Sequence, residues 1–206
     1  MPFIKKQPAA SRDDTREHAR DHDGLVTQLW DANPEARRWA ARDLLQFPES
    51  TPALVARLDL EDNATVREVI LTGLTRLGDE NAVAALVACL RREDAQLRNE
   101  AIEAMKELPD EVAPIMGNLL IDADPDVRIM AVNVLESLRH PKVEEWLIAV
   151  IEQDTVVNVC ATAVDLLGEV GSEAARGALE RLKERFAEEP YIQFAADLAL
   201  KRILKS

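Results

Sequence analysis

The chain has 206 residues, 47% of them hydrophobic but only 4% aromatic, and its 25 basic and 38 acidic residues give a formal charge of −13. That supplies a continuous core packed by Ala, Leu and Val rather than by rings, and a field that repels phosphate backbones, which disfavours nucleic-acid binding. No apolar run approaches the roughly 18 residues of a membrane span, and MPFIKKQPAA carries no secretory apolar core, so the expectation is a cytoplasmic protein without a membrane segment.

Residues 1–20 are expected to form a flexible polar arm. Pro2 and Pro8 interrupt any helix there. Lys5, Lys6, Arg12, Arg16 and Arg20 against Asp13, Asp14 and Glu17 make the arm +2, leaving −15 for the remainder. Residues 21–206 are expected to form a single solenoid of helix pairs. The first helix of each pair falls near 22–31, 50–60, 80–91, 110–121, 140–152 and 172–187. The second falls near 34–47, 63–77, 95–107, 125–138, 156–169 and 190–204. Asn33-Pro34, Asp124-Pro125 and Glu189-Pro190 open second helices, since proline fits a first turn and a short polar side chain caps free backbone N–H groups. Pro48, Gly78, Pro109, His140-Pro141 and Gly171 close them, since proline cannot continue a helix and glycine accepts a left-handed cap. No β-alternation appears.

The stretch DPDVRIMAVNVLESL at 124–138 sets the pattern, with Ala131, Val134, Leu135 and Leu138 forming one helical stripe behind Arg128. Copies place Arg37, Arg67, Arg98, Cys160 and Gln193 in the Arg128 position, with steps of 30, 31, 30, 32 and 33 residues. A period of this kind means stacked units that bury their faces against neighbours. Ala101 and Ala131 are expected where adjacent helices approach. The arginine series is preceded by Asp31, Asp62, Asp94 and Asp124, and a ladder to turn carboxylates and carbonyls in the same and adjacent repeats is expected. Cys89 and Cys160 sit inside helix patterns with no metal spacing and are expected as buried thiols.

VRxxAxxxL followed by Leu-Gly and a short turn is clearest in VREVILTGLTRLGDENAVAALVACL at 66–90 and in VCATAVDLLGEVGSEAARGALERL at 159–182, where Cys160 stands in for Arg. It resembles the HEAT-like repeat of the phycobilisome-lyase type, within the armadillo/HEAT superfamily, over roughly residues 24–204. The resemblance implies an all-α fold, an α-α superhelix (solenoid) of about six HEAT-like helix pairs. Its members are mostly scaffolds and adaptors, with a minority of enzymes. The di-iron hydroxylases on this scaffold carry His-Glu pairs, which this chain lacks. The DNA glycosylases present a basic concave face with aromatics, against a charge here of −13; only Trp39 and Trp146 are in keeping with that chemistry. Bilin lyases attach a chromophore, but the repeat itself does not define that activity.

No catalytic set, metal site or cofactor is expected. His18 and His22, at i and i+4 beside Asp21 and Asp23, share a helical face, and a solvated arm explains them. His140 is expected to cap the preceding helix. What remains is surface. Positions one and five after the arginine reference read Arg38/Arg42, Glu68/Thr72, Asn99/Glu103, Ile129/Asn133, Ala161/Asp165 and Phe194/Leu198. On this face a protein partner is expected to contact Arg38, Trp39, Arg42, Glu68, Asn99, Glu103, Asn133 and Phe194, aromatic and Arg residues being common anchors. The function expected is a non-enzymatic scaffold or adaptor, with the resemblance suggesting bacterial two-component or chemosensory signalling. The alternative is a bilin lyase-like enzyme or a chaperone-type subunit that binds a bilin or its carrier protein. Neither nucleic acid nor membrane is expected as a partner, and the oligomeric state is left open.

Overall fold

A computed structural model describes residues 19–204. The expected arm therefore lies outside the described residues except for Ala19 and Arg20, and His18 lies outside them too. The described residues are all-α, with no strand among them. The helices are α1 (His22–Gln28), α2 (Pro34–Asp43), α3 (Thr51–Leu58), α4 (Ala64–Leu77), α5 (Glu80–Cys89) and α6 (Ala95–Lys106). They continue as α7 (Pro109–Leu120), α8 (Pro125–Leu135), α9 (Val143–Gln153), α10 (Val157–Val170), α11 (Arg176–Arg185) and α12 (Pro190–Ile203). Short 3-10 turns follow α2 and precede α3 and α11. The helix pairs thus stand where the repeat places them.

Local chemistry accounts for the helix starts. Asn33 and Asp124 hold extended backbone while their side chains accept from the amides of Glu35 and Asp126, with proline in the first turn of α2 and α8. Asp79 and Asp94 cap α5 and α6 in the same way. Gly78 ends α4 in the left-handed region, at a φ of 60°. Gly171 departs from expectation: its backbone is extended, and a Cβ there would stand 2.4 Å from the Leu167 carbonyl oxygen. Close approach, not handedness, requires glycine at that turn. α8 stops at Leu135 and α9 starts only at Val143, because His140-Pro141 occupies the connection. His140 does not cap α8. Its ring accepts from the Lys142 amide at 3.2 Å and stacks on Trp146 with centroids 4.9 Å apart, so it shapes the entry to α9.

The chain divides into two compact units between Ile70 and Leu71, within α4. In the first unit, Leu25, Leu29, Ala40, Leu44, Leu54 and Ile70 are fully buried. In the second, Leu86, Met105, Met116, Leu135, Leu147 and Leu167 form the large members of the core. Ala101, Ala131, Ala163 and Ala196 have no accessible surface, so small side chains do occupy the places where helices come together. Each fully buried Leu, Ile or Met adds about 1.5–3 kcal/mol by leaving water. None of these helices is long and apolar enough to cross a membrane.

Candidate functional site

The helices that begin with the arginine motif present the expected outward residues. On α2, Arg38 and Arg42 are exposed and Trp39 is half-buried between them. The Arg42 guanidinium lies 4.3 Å from the Trp39 ring centroid and that of Arg38 lies 5.8 Å away, both within cation–π range. The structure thus brings these three together as one aromatic and cationic patch. Glu68 is exposed on α4, Asn99 and Glu103 are exposed on α6, and Asn133 is half-buried on α8. Asn133 lines a shallow groove of about 160 Å³ with Glu136, Thr162, Asp165 and Glu169, which makes that stretch acidic. Phe194 is 66% exposed on α12. In the second unit, side chains link these helices across their outward face. Lys106 Nζ donates to Glu103 and to Glu136, each at 2.9 Å, and the Tyr191 hydroxyl donates to Asp165 at 2.7 Å.

The arginine series is structural, and its partners are not all those nearest in sequence. Arg37 donates from Nη1 to the carbonyls of Asp31 and Ala32, and from Nε and Nη2 to Glu61 at 2.8 and 2.7 Å. Arg128 repeats this with the carbonyls of Asp122 and Ala123 and with the Asp154 carboxylate at 2.6 and 3.2 Å. In both cases the carboxylate comes from the turn of the following repeat, as the expected ladder to adjacent repeats allows, though Glu61 takes the close bonds and Asp62 beside it approaches Arg37 only at 4.0 Å. Arg98 keeps the carbonyl bonds, to Arg92 and Glu93, while Asp122 pairs with Arg91 instead. Burial alone would raise the Glu61 carboxyl, but bonds from Arg37, Arg57 and the Asn63 amide bring it down to about 2. Asp154 is likewise held below the usual carboxylate range, where Arg128 and the Val156 amide overcome the effect of burial. Where Cys160 replaces arginine, Arg185 from α11 donates to the carbonyls of Ile151, Glu152 and Asp154 and approaches the sulfur at 3.6 Å. Burial pushes the Cys160 thiol up despite that neighbour. Cys89 and Cys160 are both buried.

Two grooves on the other helices carry surface that the repeat pattern did not single out. Between α5 and α7 lies a mainly apolar groove of about 750 Å³, lined by Val83, Ala84, Val87, Pro114, Ile115 and Leu119. Glu80 and Glu111 stand at its end by the helix N-termini, and the Arg91–Asp122 ion pair at its other end. Between α7 and α9 a groove of about 340 Å³ is lined by Ile121, Trp146, Ala149 and Val150 beside the Arg128–Asp154 pair. Ile121, 71% exposed at the end of α7, is a signal that a sequence reading could have used, an apolar residue at a turn where the repeat needs none. Among the described residues no group of His, Cys, Asp and Glu is arranged to hold a metal.

Comparison with known proteins adds three findings. Residues 23–106 and 113–201 match the family model described as HEAT repeats. A bilin biosynthesis protein, PecE, of Nostoc sp. is 38% identical over 74 residues, covering 35% of this chain and 29% of that protein. Its counterpart from Mastigocladus laminosus is 39% identical over 74 residues, covering 35% of this chain and 28% of that protein. The matched segment thus spans under a third of the length of these curated relatives. Among solved structures, an archaeal HEAT-like repeats protein from Thermococcus onnurineus aligns at a TM-score of 0.48 with 15% identity, covering 88% of each chain. The likeness to the bilin biosynthesis proteins overturns the expectation of a non-enzymatic signalling scaffold. That expectation rested on the general habit of repeat proteins, and the motif behind it consists of core and turn positions that carry no functional information.

Proposed function

The chain belongs to the HEAT-repeat family, and from that premise we propose that it is a bilin lyase-like or chaperone-type subunit, binding a bilin, its carrier protein or both during chromophore attachment. The observation that carries this reading is the 38% identity over 74 residues with a bilin biosynthesis protein. Surface chemistry supports it at one place. A bilin is a flat conjugated chain with carboxylate arms, and the overall charge of −13 opposes such an anion. The patch of Arg38, Trp39 and Arg42 supplies a ring to stack on and two exposed guanidinium groups to pair with carboxylates. The acidic stretch around Asn99, Glu103, Asn133 and Glu136 suits a carrier protein better than the chromophore itself. Glu68 and Phe194 are the remaining proposed partner contacts.

The test is titration of the full chain with biliverdin, followed by visible absorbance and by quenching of tryptophan emission, beside capture of a chromophore-free carrier protein. Binding is expected, with affinity at least tenfold weaker in Trp39→Ala/Arg42→Glu. Binding retained in full by that variant would move the site off α2. Absence of both bilin and carrier binding would refute the function.

A further inference from the structure

α12 and the α5/α7 groove carry complementary surfaces that nothing within the second unit covers. Tyr191, Phe194 and Leu198, at i, i+3 and i+7, form one outward stripe on α12, and they are 53%, 66% and 39% exposed. Lys201 and Arg202 continue the stripe toward the helix C-terminus, and Glu188 and Glu189 precede the helix. The α5/α7 groove has the same order of charge along its helices, so that only an antiparallel partner sets unlike charges together. Glu80 and Glu111 stand at its end by the helix N-termini, its middle is apolar, and Arg91 stands at the far end. The Arg91 side chain is 49% exposed although it pairs with Asp122.

We propose that the outward face of α12 docks into the α5/α7 groove of a second copy of this chain, joining copies head to tail. Laid antiparallel to α5 and α7, α12 sets Phe194 and Leu198 against Ala84, Val87, Pro114 and Ile115. The same orientation brings Lys201 and Arg202 onto Glu80 and Glu111, and Tyr191 beside the Arg91–Asp122 pair. Length agrees as well as charge. From Tyr191 to Arg202, and from Glu80 to Arg91, the chain advances by the same number of residues, about 16 Å at helical rise. Antiparallel placement also brings opposite ends of the helix dipoles together. Two anionic copies repel overall, and the basic end of α12 set onto Glu80 and Glu111 offsets that locally. Because the two surfaces are different patches, the contact is heterologous and needs no two-fold axis. Ala84 and Pro114 are exposed and Val87 and Ile115 half-buried, so the groove accepts side chains without disturbing the core.

Sedimentation velocity on the full chain over a concentration series tests this, with circular dichroism to confirm folding. The wild type is expected to exceed the monomer mass as concentration rises. Phe194→Glu and Ala84→Glu, both at exposed positions, should each remain monomeric. Mixed in equal amounts they should form a one-to-one pair and nothing larger, since each keeps one intact surface. A wild type that stays monomeric throughout would overturn the proposal, as would association that survives either substitution. Association kept by Ala84→Glu and lost in Phe194→Glu would point to α12 meeting α12, and would overturn it equally.

Discussion

The junction built on Arg37 and the junction at Cys160 meet one backbone requirement by different routes. At the first, Arg37 is 6% exposed and donates to the Asp31 and Ala32 carbonyls, both at 3.0 Å, from within its own repeat. Its other nitrogens hold Glu61, which also takes Arg57 at 2.9 Å and the Asn63 amide at 2.9 Å. At the second, Cys160 has no charge to offer. Arg185 reaches from the next helix to the Ile151, Glu152 and Asp154 carbonyls at 2.7, 2.6 and 2.8 Å. What the fold demands is thus a side-chain donor over the carbonyls that end the first helix of the pair, where orphan acceptors are left; the neutral Gln193 amide meets the same demand at the Lys183 and Phe186 carbonyls. Which element supplies it is free to vary. The two solutions differ in exposure, and that difference sets how much each is worth.

The largest effect is expected at the buried junction. Glu61→Ala leaves Arg37 and Arg57 without their carboxylate, and removal of one partner from a buried pair costs about 3–5 kcal/mol. Urea unfolding in a Trp146→Phe background, where Trp30 and Trp39 report on the first unit, should show the midpoint fall by that equivalent. A loss under about 1 kcal/mol would mean the cluster behaves as an exposed pair.

Acid provides the next contrast. The folded pKa of Glu61 is lowered from 4.5 to about 2. A depressed carboxylate stabilises the fold above its unfolded pKa, so this contribution is complete above pH 4.5 and is lost as pH falls toward about 2. Asp154 adds a slope of the same sign through Arg128. The Arg185 link ends on carbonyls, which do not titrate, and adds none. Glu61→Gln should flatten the acid slope of first-unit stability, whereas Arg185→Ala should leave the slope of the second unit unchanged. Parallel slopes for Glu61→Gln and the wild type would contradict the ion-pair account.

The same contrast shows what the sequence could carry. Helix positions were legible, because Asn33, Asp124 and the prolines after them act within a few residues and the repeat step propagates each assignment. The inward stripe was legible too, as the fully buried Ala101 and Ala131 show. Carboxylate partners were not. Asp62 precedes Arg67 in sequence, yet it approaches Arg37 only at 4.0 Å and is 95% exposed, while neighbouring Glu61 turns inward. One residue of turn geometry decides between them, and the period is blind to it. Arg185 was invisible for the same reason, since it lies outside the repeat register. The outward positions Arg38, Trp39, Arg42 and Phe194 were placed correctly on the surface, but their chemistry is not periodic. The α5/α7 groove depends on two helices whose motif specifies only their inner faces.

A smaller and more diagnostic effect is expected where the cation comes from outside the register. Arg185 is exposed, so water replaces part of what it donates, and Arg185→Ala should cost about 1–2 kcal/mol. Cys160→Arg alone inserts a second cation beside Arg185 at a position with no accessible surface, and should destabilise. In the Arg185→Ala background the same change returns an arginine to the position that Arg128 holds one repeat earlier, with the Asp154 carbonyl in reach. The penalty of Cys160→Arg should therefore shrink or reverse there. That favourable coupling, read from a double-mutant cycle in urea, measures whether Arg185 and a cation at position 160 serve the same carbonyls. Additive effects would show instead that Arg185 serves the α9–α11 contact alone and that the carbonyls at this turn need no cation.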